Sequence, residues 1–391
     1  MFMHGGVAPP PSTMYIPAIT GLVQRLSSEF DITVYTVVKP DDRSTPFLCG
    51  NAAVKYIRSR SGNHALSIAL RAVQEFRRDH RVHNYSLVHG FWALPGGLAA
   101  VLAGRLCRLP SVVSLLGGEA AFLPAINYGN MNTGARRSTT LWICRNAETL
   151  TALTNFQLQG LRRFKFDRTG ETYVIPFGAD AKLFRAIARK PLAPPFNIVH
   201  IGSLNRVKDQ TTLLRAFQKI SRQIDARLRI IGEDTLGGFL EGYARDLGIS
   251  DRVAFLGLVP YEKLRDQFDW AHALLHSSLY EGQGVVFSEA AASEVLICGT
   301  RVGLLSDLGD TIGVAVEPGD YEALAENLLR VVEDPAVFTG HLMRARSWAA
   351  EHTADWTASQ FAELYRRRLR APQDVDASPR ESSRLSLHIE A

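Results

Sequence analysis

Two acids flank a short glycine turn in the second half of the chain. The stretch HSSLYEGQGVVFSEAAASE, residues 276–294, places Glu281 and Glu289 on either side of Gly282-Gln283-Gly284. Glycines let the backbone approach a ligand closely, and the bare amides of such a turn suit an anion. Carboxylates aimed at a phosphate would repel it, so the acids must face uncharged hydroxyl groups on the same ligand. A phosphate flanked by hydroxyl-rich groups describes a nucleotide sugar.

The stretch HIGSLNRVKDQTTLLRAF, residues 200–217, is a second candidate. Its pattern predicts a strand, then a glycine, a polar turn and a helix. Lys208 lies at the predicted helix start, where the amides and the helix dipole already favour an anion. A cation there opposes the dipole unless something negative binds beside it, so Lys208 is predicted to bind a phosphate. Arg206 is a weaker candidate by the same argument. Structural alternatives stay open, because Lys208 and Glu289 also suit solvated positions on a helix.

Three more candidate positions lie in the first half of the chain, after predicted strands. Gly5 and Gly6 follow the opening strand, where they could approach a diphosphate from the opposite side of a cleft. His89 closes the strand YSLVHG, and Glu119 lies in the glycine turn of SLLGGEAAF, residues 114–122. We take His89 and Glu119 as candidates on the acceptor side. A tight structural turn explains the glycines almost as well, and a lone histidine is more often structural.

Short β-branched runs alternate with amphipathic stretches, a rhythm typical of parallel sheets covered by helices. A charged segment with three prolines, 185–195, interrupts the rhythm as a linker would. We therefore predict an N-terminal domain over 1–190 and a C-terminal domain over 196–350, two doubly wound Rossmann-like units facing across a cleft. A last helix is predicted at 354–369, and the polar tail 371–391 is predicted to be disordered.

Composition narrows the function classes. The chain has 391 residues, 46% hydrophobic and 21% charged, with a formal charge of +5. This mild basicity lacks the clustered excess of a nucleic-acid binder and suits an anionic cosubstrate or an anionic membrane surface. The basic stretch RAVQEFRRDHRVH, residues 71–83, could touch lipid headgroups, although a solvated helix face is the simpler interpretation.

Other classes have no support in the sequence. Four scattered cysteines without a CxxC pair predict free thiols in a reducing compartment. We find no signal-peptide pattern, no apolar run long enough to span a bilayer, and no H-E-x-x-H, P-loop or serine-nucleophile motif. We expect a cytoplasmic protein, with peripheral contact at the inner face of the membrane left open, and no metal site.

Taken together, these motifs resemble glycosyltransferase family 4, the group 1 glycosyltransferases with the GT-B fold. AETLTALTNFQLQGL (147–161) resembles the segment that closes the family's N-terminal domain, and VIPFGADAKLF (174–184) resembles its I-P-x-G-x-D-x-x-x-F element. IGSLNRVKDQTTLLRAF resembles the first strand and phosphate lysine of the donor domain. SSLYEGQGVVFSEA carries the E-x7-E signature, with Glu281 and Glu289 at its two positions.

The resemblance implies roles for these residues. Glu281 would be the catalytic glutamate, contacting hydroxyls of the transferred sugar, and Glu289 would contact the ribose. Lys208 and the amides from Gly282 to Val285 would hold the diphosphate. Gly5 and Gly6 would complete that grip, and the loop at Leu258 would line the nucleobase. The helix 354–369 resembles the family's last helix, which crosses back onto the N-terminal domain. Members of the family retain anomeric configuration and generally need no metal or other cofactor.

The sequence departs from the family pattern at several places. Ser203 stands where many members have an arginine, and Leu116 stands where they often carry a histidine. The opening run 2–4 is short for a first strand, which raises the question of a trimmed strand or a misplaced start codon. These departures bear on activity more than on fold.

We therefore expect a retaining hexosyltransferase acting on a saccharide or lipid-linked acceptor, in polysaccharide or glycoconjugate biosynthesis. One alternative is a catalytically impaired GT-B protein that binds nucleotide sugars or serves as a scaffold. A nucleotide-sugar epimerase on the same fold is disfavoured, because the N-terminal half offers mainly His89 and Glu119 on the sugar side. A hydrolase that uses the two glutamates as acid and nucleophile leaves the glycine turn and Lys208 without a purpose.

Overall fold

The computed structural model describes residues 1–3, 16–38, 47–58, 65–186 and 192–370. Its first half forms an eight-stranded sheet in the order β3-β4-β2-β1-β5-β6-β7-β8. All neighbours in this sheet are parallel except β3 and β4. The strands are β1 Phe2–Met3, β2 Thr33–Val38, β3 Phe47–Cys49, β4 Ala52–Arg58, β5 Val88–Phe91, β6 Ser111–Leu115, β7 Thr149–Ala152 and β8 Glu171–Val174.

Five α-helices lie among the described residues of this half. They are α1 Pro17–Leu26, α2 Ala65–His83, α3 Leu98–Cys107, α4 Gly134–Asn146 and α5 Asn155–Arg162. Their apolar faces cover both sides of the sheet, as parallel strands require. The sequence did not predict β3 or α4, because β3 is only three residues long and α4 begins in a polar stretch with little periodicity.

The second half forms a six-stranded, all-parallel sheet in the order β11-β10-β9-β12-β13-β14. Its strands are β9 Phe196–Ile201, β10 Ala226–Ile231, β11 Val253–Gly257, β12 Ala273–His276, β13 Leu296–Thr300 and β14 Gly313–Val316. Its helices are α6 Gln210–Gln223, α7 Phe239–Asp246, α8 Leu264–Trp270, α9 Val285–Ala292, α10 Leu304–Leu308, α11 Tyr321–Glu333 and α12 Pro335–Glu351. Each half of the chain is therefore one parallel-sheet domain. The two halves together form the two-domain architecture that the sequence predicted.

The last helix, α13 (Ala354–Arg370), crosses back and packs on the first half of the chain. Phe361 and Tyr365 are buried in one cluster with Ile19 and Leu22 of α1. At its start, the amide of Ala354 donates to the carbonyl of Ala179. The first and last α-helices of the described chain, α1 and α13, therefore pack in the same hydrophobic core.

Candidate active site

The centre of the candidate site is Glu281, which follows β12 in the turn toward α9. Its Oε1 atom accepts three hydrogen bonds: from Nζ of Lys208 at 2.5 Å, from Oγ of Ser278 at 2.6 Å and from Nε2 of His276 at 2.9 Å. Burial by itself raises the pKa of this carboxyl, but Lys208 and His276 outweigh burial and hold the pKa well below its usual range. Glu281 is therefore a carboxylate at neutral pH.

The other oxygen of this carboxylate, Oε2, has no hydrogen-bond partner among the described residues. The Glu281 side chain keeps 12% of its surface exposed. One oxygen is thus fixed by three donors, while the second remains an acceptor with unused lone pairs. This geometry can receive a ligand hydroxyl without breaking the bonds that orient the carboxylate.

Lys208 reaches Glu281 because its backbone is fixed by polar contacts. The Lys208 amide donates to Asn205, Ser277 Oγ donates to the Lys208 carbonyl at 2.8 Å, and the Leu279 amide donates to the Val207 carbonyl at 2.8 Å. The loop before α6 is thereby held to the loop after β12. Helix α6 begins at Gln210, so Lys208 lies two residues before the helix rather than at its first position.

The glycine turn lies where the two halves of the chain meet. A Cβ atom at Gly282 would approach Nε2 of Gln157 to 2.8 Å and the Leu116 carbonyl oxygen to 2.9 Å, so any side chain would disturb this contact. Gly284 has φ +77° and immediately precedes α9. The amides of Val285 and Val286, at the start of α9, have no acceptor among the described residues, so they can bind an anion, whereas the Phe287 amide donates to the Gly284 carbonyl.

The side chain of Gln283 has a structural part in the turn. Its Oε1 accepts from the Phe177 amide at 2.7 Å, and its Nε2 donates to the Phe177 carbonyl at 2.7 Å. Nε2 also donates to Ser288 Oγ. Only the backbone of Gln283 is left for the ligand contact that the sequence predicted.

Glu289 lies on the inner side of α9 and is 6% exposed, so the alternative of a solvated helix position is wrong. Its Oε1 accepts a hydrogen bond from the Tyr261 hydroxyl at 3.0 Å. Burial raises the pKa of Glu289 to about 7, and the bond from Tyr261 only partly opposes that rise. The carboxyl is therefore close to half protonated at neutral pH and responds to any ligand that donates hydrogen bonds to it.

Sequence reasoning missed the two histidines behind Glu281. His276 is fully buried, and its ring stacks on His200 with 5.3 Å between the ring centroids. Burial lowers the pKa of His276, so the neutral ring donates from Nε2 to Glu281. His200 donates from Nδ1 to the Leu275 carbonyl. In the sequence, both histidines look like ordinary strand residues. Only the position of His276, five residues before Glu281, could have indicated that the two side chains are in contact.

The two acceptor-side candidates are occupied by internal contacts. The carboxylate of Glu119 accepts from the amides of Ala93, Leu116 and Gly117, so it stabilises its own turn. His89 is the second residue of β5, not its last, and its two ring nitrogens bond to Tyr365 and Ser114. Their contact with an acceptor stays a prediction, and the structure gives both residues a structural part.

The remaining candidates lie around the same edge of the second sheet or outside the described residues. Arg206 is exposed, without a hydrogen bond or ion pair among the described residues. Leu258 is 70% exposed in the loop after β11. Gly5 and Gly6 fall outside the described residues, so their predicted grip on a diphosphate stays a prediction.

A narrow cavity of about 40 Å³ separates α1 from the start of α9. It is lined by Pro17 and Arg25 on one side and by Tyr261 and Val285 on the other.

Comparison with known families decides the identity of the fold. Residues 17–178 match the model of the glycosyl transferase 4-like domain, and residues 195–334 match the model of glycosyl transferases group 1. The chain belongs to the group 1 glycosyltransferases.

This group 1 glycosyltransferase has relatives of known name. It is 29% identical over 319 residues to D-inositol 3-phosphate glycosyltransferase from Nocardiopsis dassonvillei, covering 76% of this chain and 73% of that protein. A shorter match, also 29% identical, joins 43% of this chain to 44% of N-acetyl-alpha-D-glucosaminyl L-malate synthase from Bacillus anthracis.

Solved structures show the same GT-B fold. Sucrose-phosphate synthase from Thermosynechococcus elongatus superposes with a TM-score of 0.79 at 20% identity, covering 94% of this chain and 98% of that chain. Anabaena HepE in complex with UDP and glucose superposes with a TM-score of 0.71 at 17% identity, covering 93% and 98%.

The described residues contain neither a membrane-spanning helix nor a cluster of metal-binding side chains. None of the described helices of this group 1 glycosyltransferase is long and apolar enough to cross a membrane. The described part of the chain also contains no cluster of three or more histidine, cysteine or acidic side chains that could hold a metal ion.

Proposed function

We propose that this group 1 glycosyltransferase transfers a sugar, with retention of anomeric configuration and without a metal, from a nucleotide-diphosphate sugar to a saccharide or lipid-linked acceptor. The role fits polysaccharide or glycoconjugate biosynthesis. The observation that carries the proposal is the carboxylate of Glu281. Its Oε1 is fixed by Lys208, His276 and Ser278, while Oε2 has no partner among the described residues.

The donor fits this geometry in three parts. A hydroxyl of the sugar donates to Oε2 of Glu281, and the diphosphate binds Lys208 and the first amides of α9. The ribose reaches Glu289, whose buried carboxyl has Tyr261 as its partner. Each acid thus meets hydroxyl groups while the cation and the amides meet the phosphates, which resolves the electrostatic conflict of two acids beside an anion site.

In the proposed transfer, the bond between the anomeric carbon and the phosphate oxygen breaks, and the acceptor hydroxyl oxygen bonds to the same face of that carbon. The hydroxyl proton goes to the departing phosphate oxygen. Negative charge grows on the leaving diphosphate in this step, so Lys208 and the α9 amides stabilise the transition state more than the ground state. Glu281 orients the sugar by its hydroxyls.

Uracil is the base we propose for the donor. The support is a neighbour in fold, Anabaena HepE, whose structure was determined with UDP and glucose. The exposed loop at Leu258 is the described segment we place beside the base, because it follows β11, two strands from the strand β9 that precedes Lys208 in the same parallel sheet.

The test begins with thermal shift against a panel of nucleoside diphosphates and their sugars. A ligand at a hundred times its dissociation constant adds about 2.7 kcal/mol to the free energy of unfolding. We expect UDP to stabilise the wild type, and expect Lys208→Ala and Glu289→Ala to lose that shift. Arg222→Ala, an exposed change at the far end of α6, is the matched control and should keep it.

Three further outcomes separate the proposed transfer from its alternatives. Retention is read from the anomeric proton coupling of the product by NMR, and an inverted product contradicts the retaining mechanism. Conversion of the UDP-sugar without any acceptor would favour the epimerase. A UDP shift with no turnover on a broad set of saccharide and lipid-linked acceptors would favour the binding or scaffold protein.

A further inference from the structure

One face of the N-terminal half concentrates unpaired cations. Helix α4 and the segment 161–168, which begins in the last turn of α5, carry a single acid, Asp167. Seven cations on these elements and at the end of α3 have no carboxylate within ion-pair distance among the described residues. We call this surface the basic face, and its cations are Arg105, Arg136, Arg137, Arg145, Arg162, Arg163 and Lys165.

Contacts between side chains make the basic face continuous. Arg105 lies over the ring of Trp142, with 5.2 Å from the guanidinium carbon to the ring centroid. Arg145 lies over Phe166 at 5.8 Å and donates to the Lys165 carbonyl. Arg137 lies over Phe164 at 5.4 Å. The end of α3, the helix α4 and the segment after α5 thus present one joined surface.

Large apolar side chains lie exposed within the same surface. Leu106 is 60% exposed, Phe122 is 50% exposed and Trp142 is 37% exposed. Phe122 packs edge-on against Phe164, with 5.6 Å between the ring centroids. Cations interspersed with exposed leucine, phenylalanine and tryptophan are typical of surfaces that lie at a lipid interface.

Two other arginine-rich helices among the described residues carry cations or acids that form ion pairs. In α2, which the sequence marked as a lipid candidate, Arg78 pairs with Glu75, and Asp79 pairs with Lys55. In α13, Arg366, Arg367 and Arg368 each pair with a glutamate. The basic face differs from both because its cations lack acidic partners.

The basic face borders the cleft. Phe122 follows Ala121, which is buried in a cluster with Val207 and Tyr280 of the other half of the chain. Tyr280 immediately precedes Glu281. A partner that binds the basic face would therefore lie beside the entrance to the candidate active site.

We propose that the basic face docks the enzyme on an anionic lipid surface. Charge complementarity selects an anionic partner, and the exposed leucine and aromatic side chains select one with an apolar layer beneath its charges. A nucleic acid fits less well, because the rings of Trp142 and Phe164 are already covered by guanidinium groups and do not offer free faces for base stacking. The inference deepens the proposed lipid-linked acceptor by naming the surface that would bring the enzyme to it.

The test is cosedimentation of the full chain with vesicles, without donor or acceptor. Wild type should bind vesicles of phosphatidylcholine mixed with phosphatidylglycerol, and it should not bind pure phosphatidylcholine. The triple variant Arg136→Gln, Arg162→Gln, Arg163→Gln should bind on the order of 100-fold more weakly, since each cation near an anionic membrane contributes roughly fivefold. Leu106→Gln should also weaken binding, and its effect should persist at high salt.

The matched control is Arg77→Gln, Arg78→Gln, Arg81→Gln on α2, which removes the same charge from exposed positions elsewhere. It should keep binding close to that of the wild type. Equal loss in both triple variants, absence of wild-type binding, or full displacement of the protein from vesicles by duplex DNA would each overturn the proposal. Because no turnover is measured, a failed transfer assay does not decide this test, and a failed vesicle test leaves donor binding intact.

Discussion

The ammonium group of Lys208 lies 2.5 Å from Oε1 of Glu281, although the two residues are 73 positions apart in sequence. The predicted phosphate ligand and the predicted sugar ligand are thus partners in the absence of donor. A diphosphate that binds Lys208 must share this cation with Glu281. His276 and Ser278 keep Glu281 oriented when that happens, because both donate to the same oxygen.

Replacing Glu281 by glutamine should separate nucleotide binding from catalysis. The amide keeps the size of the side chain and frees Lys208 from its counter-ion, so UDP affinity should stay within a few fold of wild type. Turnover of the UDP-sugar should fall about 100-fold, since a hydrogen bond to a charged group contributes about 1.5–3 kcal/mol. Isothermal titration with UDP and initial rates with the UDP-sugar measure the two effects. Unchanged turnover would show that Glu281 does not contact the sugar.

Glu289 should make both stability and donor binding depend on pH. Its pKa is about 7 in the folded protein against an ordinary 4.5, so the native state holds more protons between these values. The contribution of Glu289 to the free energy of unfolding is therefore complete below about pH 4.5. As the pH rises through 7, the free energy of unfolding falls by at most about 3 kcal/mol. Glu289→Gln should remove this slope from urea unfolding measured across that range.

The same titration should appear in donor affinity. Ribose hydroxyls donate to a carboxylate better than to a neutral acid, so UDP should bind wild type more tightly as pH rises from 6 to 8. Glu289→Gln should bind UDP without that increase. A wild-type affinity that is flat over this range would contradict the contact between Glu289 and the ribose.

His276 should act on the sugar step through Glu281, as a positioning residue. His276→Leu fills the buried site but removes the donor to Oε1, so kcat should fall about tenfold or more while the affinity for UDP is kept. His276→Gln keeps an N–H donor and should restore part of the rate. If the glutamine and leucine variants are equally slow at equal melting temperature, the histidine serves packing alone.

Asp307 should help to hold the two halves of the chain together. Its carboxylate on α10 accepts from the amides of Asn155 and Phe156 at 2.6 and 2.9 Å, so it caps α5 from across the cleft. Asp307→Ala should cost about 1 kcal/mol, as loss of a helix cap does, and should enlarge the radius of gyration in small-angle scattering. Asp310→Ala on the neighbouring turn is the control, and equal expansion in both variants would argue against a specific contact.

Much of the architecture was predictable from the sequence. β-Branched and aliphatic runs of six or seven residues predicted all six strands of the second sheet within two residues at each end, because most strands of a parallel sheet are buried on both faces. The short strand β3 was missed, since three residues carry no period. The helix α4 was also missed, because its buried side is narrow and its other side is basic.

The site was predictable only as a set of candidates. Residue type and position after a strand or at a helix start select Glu281, Glu289 and Lys208 from the sequence alone. Nothing local could show that His276 lies behind Glu281, or that the carboxylate of Glu119 is used by its own turn. Such contacts depend on side-chain directions that neighbouring elements impose.

The sequence by itself therefore determined the two parallel-sheet domains and the motifs of a group 1 glycosyltransferase, because hydrophobic period and glycine turns are local properties. Tertiary structure alone decided which charges meet. It paired Lys208 with Glu281, buried Glu289 so that its pKa rises, and left the basic face without acidic partners. These outcomes depend on distance, burial and the residues that share each space, and the fold brings those together from distant parts of the chain.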